Sequence, residues 1–141
     1  MPHDPELVAE TRAWIARAAT DLRAGRVDLD ARPPLSADAA FHAQQAAEKA
    51  MKAFLTWHGR PFRKTHALIE VGEPCVAIDP SLETTIKASL GLTEFAWRFR
   101  YPGDDSDPTR DEAETALGLA SDVVHAILVR LPAAVHPPTA S

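Results

Sequence analysis

Apolar residues recur at three- and four-residue spacings along most of the chain, and no strand-length run of strict alternation flanked by turn residues interrupts them. Leu7, Thr11, Trp14, Ile15, Ala18 and Leu22 share one face of a first helix expected over about 5–24, closed by Gly25. The stretch Asp30-Ala-Arg-Pro-Pro34 then reads as a stiff connector. A second helix begins near Ser36 and stops around His58-Gly59, and a short third covers about 65–73 before breaking near Pro74. A fourth is expected over about 80–100, with Leu82, Ile86, Leu90, Thr93 and Trp97 inward. A fifth covers about 109–131, with Ala113, Leu117, Ala120, Val124, Ile127 and Leu131 inward. The pattern predicts an all-α protein, an up-and-down antiparallel bundle of four long helices plus one short helix. Residues 1–131 read as a single domain and residues 132–141, rich in Pro and Ala, as a flexible or loosely attached tail.

Three helix starts share one grammar, Asp4-Pro5, Asp79-Pro80 and Asp107-Pro108. The Asp side chain accepts from free N–H groups of the first turn, and proline in the next position loses no bond there. At the last start Thr109 and Glu112 offer a competing capping-box register.

The second helix is the most informative stretch. Ala43, Ala47, Ala50, Met51 and Phe54 form a narrow stripe whose small residues let a neighbouring helix come close. Beside it runs a mixed row, Phe41, Gln44, Glu48, Lys52 and Leu55. A solvated face has no need of Phe and Leu among its charges, so this row is expected to meet a third helix, a second copy of the chain or a polar ligand. Gln44, Gln45, Glu48, Lys49 and Lys52 are therefore candidate groove residues, although Glu48–Lys52 also fits an ordinary surface pair. Arg100 and Tyr101 are expected at the end of the fourth helix. The guanidinium either meets Glu48 or satisfies the last carbonyls of its own helix, and the phenol either stacks a base or covers the bundle end. Glu94 and Arg98 read as a solvated i,i+4 pair.

Composition narrows the chemistry. The chain has 141 residues, 45% hydrophobic and 25% charged, with a net charge of −5, so phosphate contact would have to use a local patch rather than the whole surface. The dense basic stretch is 58–66, with Arg60, Arg63, Lys64 and His66 around Phe62; it either holds a phosphate beside a base or offsets acidic surface elsewhere. The single Cys75 reads as a small buried hydrophobe in a reducing cytoplasm. Neither a membrane-spanning run nor an export signal is read in the chain. Six scattered histidines without an i,i+4 pair, and an acidic run at 104–107 lacking the glycine and glutamate of a calcium loop, give no metal site, and no cofactor is expected.

The words of the sequence also carry a resemblance. The helix Phe41-His-Ala-Gln-Gln-Ala-Ala-Glu-Lys-Ala-Met-Lys-Ala53, the turn Gly59-Arg-Pro61, the start Thr65-His-Ala-Leu68 and the ending Arg100-Tyr-Pro102 come in that order, with an acidic, Ala-rich last helix after them. Over about residues 5–131 this resembles the HEPN domain of bacteria and archaea, within a subgroup that ends its long helix in Arg-Tyr-Pro. The resemblance implies a helical bundle that pairs as a homodimer. It also implies either partnership with a minimal nucleotidyltransferase, as in toxin–antitoxin pairs, or metal-independent ribonuclease activity. The ribonuclease members carry Arg, four to six residues, then His at the end of one long helix. Here the places after Arg98 hold Gly103, Asp104 and Asp105, and those after Arg100 hold Asp105, Ser106 and Asp107, so the dyad is missing. Arg60 and His66 meet the spacing, but in the loop before the third helix. The expectation is a non-catalytic module that binds a nucleotidyltransferase and a nucleotide or RNA. A toxin-like ribonuclease using Arg60 and His66, and a helical scaffold without a ligand, are the alternatives.

Overall fold

The computed structural model describes residues 3–98, 102 and 107–138, and all regular structure among them is helical. Helix α1 spans Pro5–Asp30, α2 Ser36–Trp57, α3 Leu68–Ile78, α4 Glu83–Ser89 and α5 Arg110–Leu128. Short 3-10 segments cover Pro80–Leu82, Leu90–Ala96 and Ala133–Val135.

Helix α2 is the axis of the molecule. From Ala43 to Leu55 every residue except Lys49 is buried, and α1, α3, α5 and the Leu90–Ala96 segment all pack on it. That is why its alanines matter: Ala39, Ala43, Ala46, Ala47, Ala50 and Ala53 are wholly inaccessible, and a rod touched on several sides has room only for methyl groups. Ala47→Leu should therefore cost ~1–3 kcal/mol by overpacking, read as a drop in the denaturation midpoint. An unchanged midpoint would contradict the close seam. The α1–α2 pair is antiparallel, as the contacts Leu35 N to Asp28 O, His42 to Asp21, Lys52 to Trp14 and Trp57 to His3 run in opposite order on the two helices.

Capping follows the sequence closely. Asp4 accepts from Glu6 N at 2.9 Å, and Asp79 accepts from Ser81 N at 3.0 Å. At α5 the competing register wins: Thr109 and Glu112 form the reciprocal box at 3.0 and 3.1 Å. The backbone N–H of Thr109 holds the Glu112 carboxyl below its ordinary pKa. This contribution is present above the range of a free carboxylate and is lost as pH falls through the lowered value.

Four expectations need correction. Helix α1 does not end at Gly25 but runs to Asp30, because Gly25 is a contact residue: a Cβ there would lie 2.5 Å from Leu117 Cδ2 of α5. Helix α3 starts at Leu68 rather than Thr65 and continues through Pro74 to Ile78. Buried Val71, Gly72 and Cys75 carry it past the missing N–H, with Cys75 Sγ 3.5 Å from Met51 O. The fourth helix is not a single α-helix: of the unbroken helical run 80–96 only Glu83–Ser89 is α, and at Ser89, whose hydroxyl donates to Ile86 O at 2.7 Å, the chain tightens into a 3-10 segment. A 3-10 segment turns about 120° per residue against about 100° in an α-helix, so seven residues shift the phase by about 140°. Trp97, expected inward, is consequently 61% exposed. Finally, the start of the expected loose tail is packed. Val135 is buried, and His136 Nε2 lies 2.7 Å from Leu128 O and 3.0 Å from Leu131 O, which ties the segment back onto the end of α5.

Glu94 and Arg98 do form the expected i,i+4 pair, at 3.0 Å. Among the described residues no helix is long and apolar enough to cross a membrane.

Candidate functional site

The mixed row of α2 is buried, and its cover comes from the same chain. Glu48, with a side chain only 4% exposed, receives three contacts. Gln44 Nε2 donates to Oε1 at 3.1 Å, Lys52 Nζ donates to Oε2 at 2.9 Å, and His66 Nδ1 lies 2.9 Å from Oε1. Gln44 Nε2 also donates to His66 O at 2.9 Å, and Gln45 Nε2 donates to Gln44 Oε1 at 2.6 Å. The three-residue turn ahead of α3 makes this possible. Thr65 Oγ1 accepts from Ala67 N, and Leu68 N donates to Thr93 Oγ1 at 3.1 Å, so His66 stays outside the helix with its ring laid on Glu48.

Lys52 closes the other side. Its Nζ stands 5.5 Å from the ring centres of both Trp14 of α1 and Phe62 of the loop, and those two rings meet edge to face at 5.8 Å. The ammonium thus has a carboxylate on one flank and two aromatic faces on the other, which compensates its loss of water. Arg60, Arg63 and Lys64 project from the same loop into solvent. Gly59, with a φ of 67°, turns the chain from α2 into that loop, and Arg60 N donates to Leu55 O at 2.8 Å.

Of the expected groove residues, Gln44, Gln45, Glu48 and Lys52 come together, but beneath the loop rather than in an open groove. Lys49 belongs elsewhere. It faces α1 and donates to Asp21 Oδ2 at 2.6 Å, while His42 Nδ1 lies 2.9 Å from Asp21 Oδ1. Asp28, one more step along that seam, has a buried Oδ2 without a hydrogen-bond partner, 3.9 Å from His42 Nε2. Burial raises the Asp28 pKa, with His42 opposing the shift and Asp38 adding to it. Arg100 and Tyr101 lie outside the described residues, and the partners that the structure gives Glu48 are His66, Lys52 and Gln44. The basic residues sit on one loop as expected, yet His66 is set apart by its bond to Glu48.

Sequence reasoning missed Trp14, Phe62 and Asp21 as partners of the α2 lysines, and His66 as the partner of Glu48. The Thr-His-x-Leu start was the one signal for the last of these, since a helix start that places a histidine before the first turn leaves it free to reach sideways. Cys75 is buried as read from the sequence, and burial pushes its thiol up to about 12. Among the described residues no three His, Cys, Asp or Glu side chains are grouped to hold a metal ion.

Fold and site together define an all-helical bundle whose central helix buries a polar row under a cationic loop. A family model described as the HEPN domain matches residues 11–130, and the chain belongs to that family. No curated protein and no solved structure matches it.

Proposed function

We propose that this HEPN domain works by binding rather than by cutting RNA: a homodimer that docks a minimal nucleotidyltransferase, as in toxin–antitoxin pairs, and takes a nucleotide or an RNA end at the loop over α2. The observation that carries this reading is the division of labour at Glu48. Its carboxylate and the Lys52 ammonium are consumed by contacts within the chain, leaving His66, Arg60, Arg63 and Lys64 as the exposed chemistry. Cations on a positioned loop recognise anions. Cleavage of RNA needs in addition a group to take the 2′-hydroxyl proton and one to stabilise the charged phosphorus centre. The sequence positions where the family's ribonucleases place the histidine of their dyad hold Gly, Asp and Ser. Arg100 and Tyr101 are assigned to the partner face in this reading.

The second reading, a metal-independent ribonuclease on Arg60 and His66, has one observation in its favour: the His66 ring is held by Glu48 and reaches solvent. Sedimentation velocity and co-expression with a nucleotidyltransferase encoded beside this chain test the first. A dimer at micromolar concentration and a co-eluting complex are expected; a monomer that passes the partner by would overturn it.

A further inference from the structure

We propose that the 60–66 loop is a binding site for a phosphate monoester, with His66 Nε2 as its proton-carrying donor and Glu48 as the buried residue that positions it. This rests on the binding reading above and names its ligand chemistry.

Orientation comes first. Glu48 Oε1 already accepts from Gln44, and Oε2 accepts from Lys52, so the carboxylate is an acceptor and the His66 Nδ1 at 2.9 Å carries the hydrogen. With Nδ1 engaged and the side chain 65% exposed, Nε2 is the nitrogen left for a ligand. Charge comes second. Lys52 neutralises Glu48 at 2.9 Å, so the carboxylate does not cancel the loop, whose net charge is that of Arg60, Arg63 and Lys64. Those three have no ion-pair partner among the described residues, unlike Lys49, Lys52 and Arg98. Positioning comes third. Phe62 is fixed against Trp14 and Lys52, and His66 against Glu48, so Arg63 and Lys64 project from a span held at both ends. A preorganised span loses less entropy when it binds.

A phosphate monoester supplies what this arrangement lacks, two negative charges and three acceptor oxygens on one small head. A neutral imidazole with hydrogen on Nδ1 offers Nε2 only as an acceptor, and a fully ionised phosphate has no hydrogen to give it. Binding of the dianion therefore favours the ring with a hydrogen on both nitrogens. The charged groups of the site are Glu48, in contact with the ring, Lys52, which shares that carboxylate, and Arg60, Arg63 and Lys64 on the same loop; α1 brings Trp14 against Lys52, and the Leu90–Ala96 segment brings the Thr93 hydroxyl to Leu68 N.

Calorimetry on the whole protein with AMP, adenosine, inorganic phosphate and sulfate tests this. AMP and inorganic phosphate should bind and adenosine should not, which identifies the phosphate; tighter binding of AMP than of inorganic phosphate would make the nucleotide the natural source. Sulfate, which does not titrate between pH 6 and 8, should bind more weakly as pH rises in the wild type and without pH dependence in His66→Gln. His66→Gln should weaken AMP about tenfold, the loss of one charge-assisted hydrogen bond. Arg63→Ala/Lys64→Ala, fully surface substitutions, should weaken it as well. Imidazole nitrogen NMR should show the hydrogen of neutral His66 on Nδ1. Absence of AMP binding at millimolar concentration, equal affinity in His66→Gln, a flat wild-type sulfate profile, or hydrogen on Nε2 alone would overturn the proposal. Capture of the nucleotidyltransferase is read separately, so either result can fail while the other stands.

Discussion

Lys52→Met should lower the stability of the fold by ~3 kcal/mol or more, the usual loss when one member of a buried ion pair is removed. The Lys52 side chain is 9% exposed and that of Glu48 4%, so water cannot replace the missing ammonium. Gln44 and His66 remain on Oε1, but Oε2 loses the one donor that the structure gives it. The informative comparison is the double change Glu48→Met/Lys52→Met, which removes both charges and keeps the volume. It should recover most of the loss in urea denaturation, because apolar replacement of a buried pair is often close to neutral. A double variant as unstable as the single one would mean that the pair itself is not what Lys52 supports.

Gly25→Leu should be the other severe change, costing ~3 kcal/mol or more at the upper end of overpacking. Helices α1 and α5 approach here, with Leu117 Cδ2 standing 2.5 Å from where a Cβ would be and the Ala39 carbonyl oxygen of α2 at 3.4 Å. Gly25→Ala separates the two contributions. The Leu117 methyl can swing aside, while the carbonyl cannot, and alanine gains ~1 kcal/mol of helix propensity over glycine. The alanine variant should therefore lie close to the wild type in melting temperature, and the leucine variant far below it. Equal, small effects in both would show that the crossing has slack, and the extension of α1 past Gly25 would need another cause.

These two sites show where the sequence was readable and where it was not. Every residue that periodicity assigned to the α2 stripe is buried, as are Thr11, Ile15 and Ala18 on α1 and all those assigned inward on α5, because burial on a regular helix repeats at the helical spacing; Ala39, Ala46 and Ala53 of the seam and Leu29 of α1 went unassigned. The caps were legible for a related reason: Asp4, Asp79 and Thr109 act on residues two or three places ahead. Glycine and proline misled. Gly25 and Pro74 are both read as stops from local rules, yet each is held within a helix by packing against elements far away in sequence. Trp97 was misplaced because the 3-10 period of Leu90–Ala96 accumulates a phase shift: Leu90 and Thr93, early in the segment, still meet the bundle, while Trp97 at its end does not.

The candidate site divides in the same way. That Glu48 and Gln44 are buried could be inferred from their apolar neighbours on the row. What covers them could not, since His66 lies eighteen residues away from Glu48 and Trp14 belongs to another helix. Lys49 and Lys52 were taken together because they are close in sequence, but a three-residue step on a helix sends one toward Asp21 and the other toward Glu48. Side-chain partners across elements are set by the packing of the whole bundle, and one sequence carries little record of them.

The claim most exposed to test is that this HEPN domain recognises its ligand without cleaving it. Purified protein incubated with labelled single-stranded RNA, with and without a metal chelator, decides it on one gel. RNA of unchanged length is expected in every lane. Chelator-resistant fragments that disappear with Arg60→Ala or His66→Gln would contradict it and establish the loop before α3 as a ribonuclease centre.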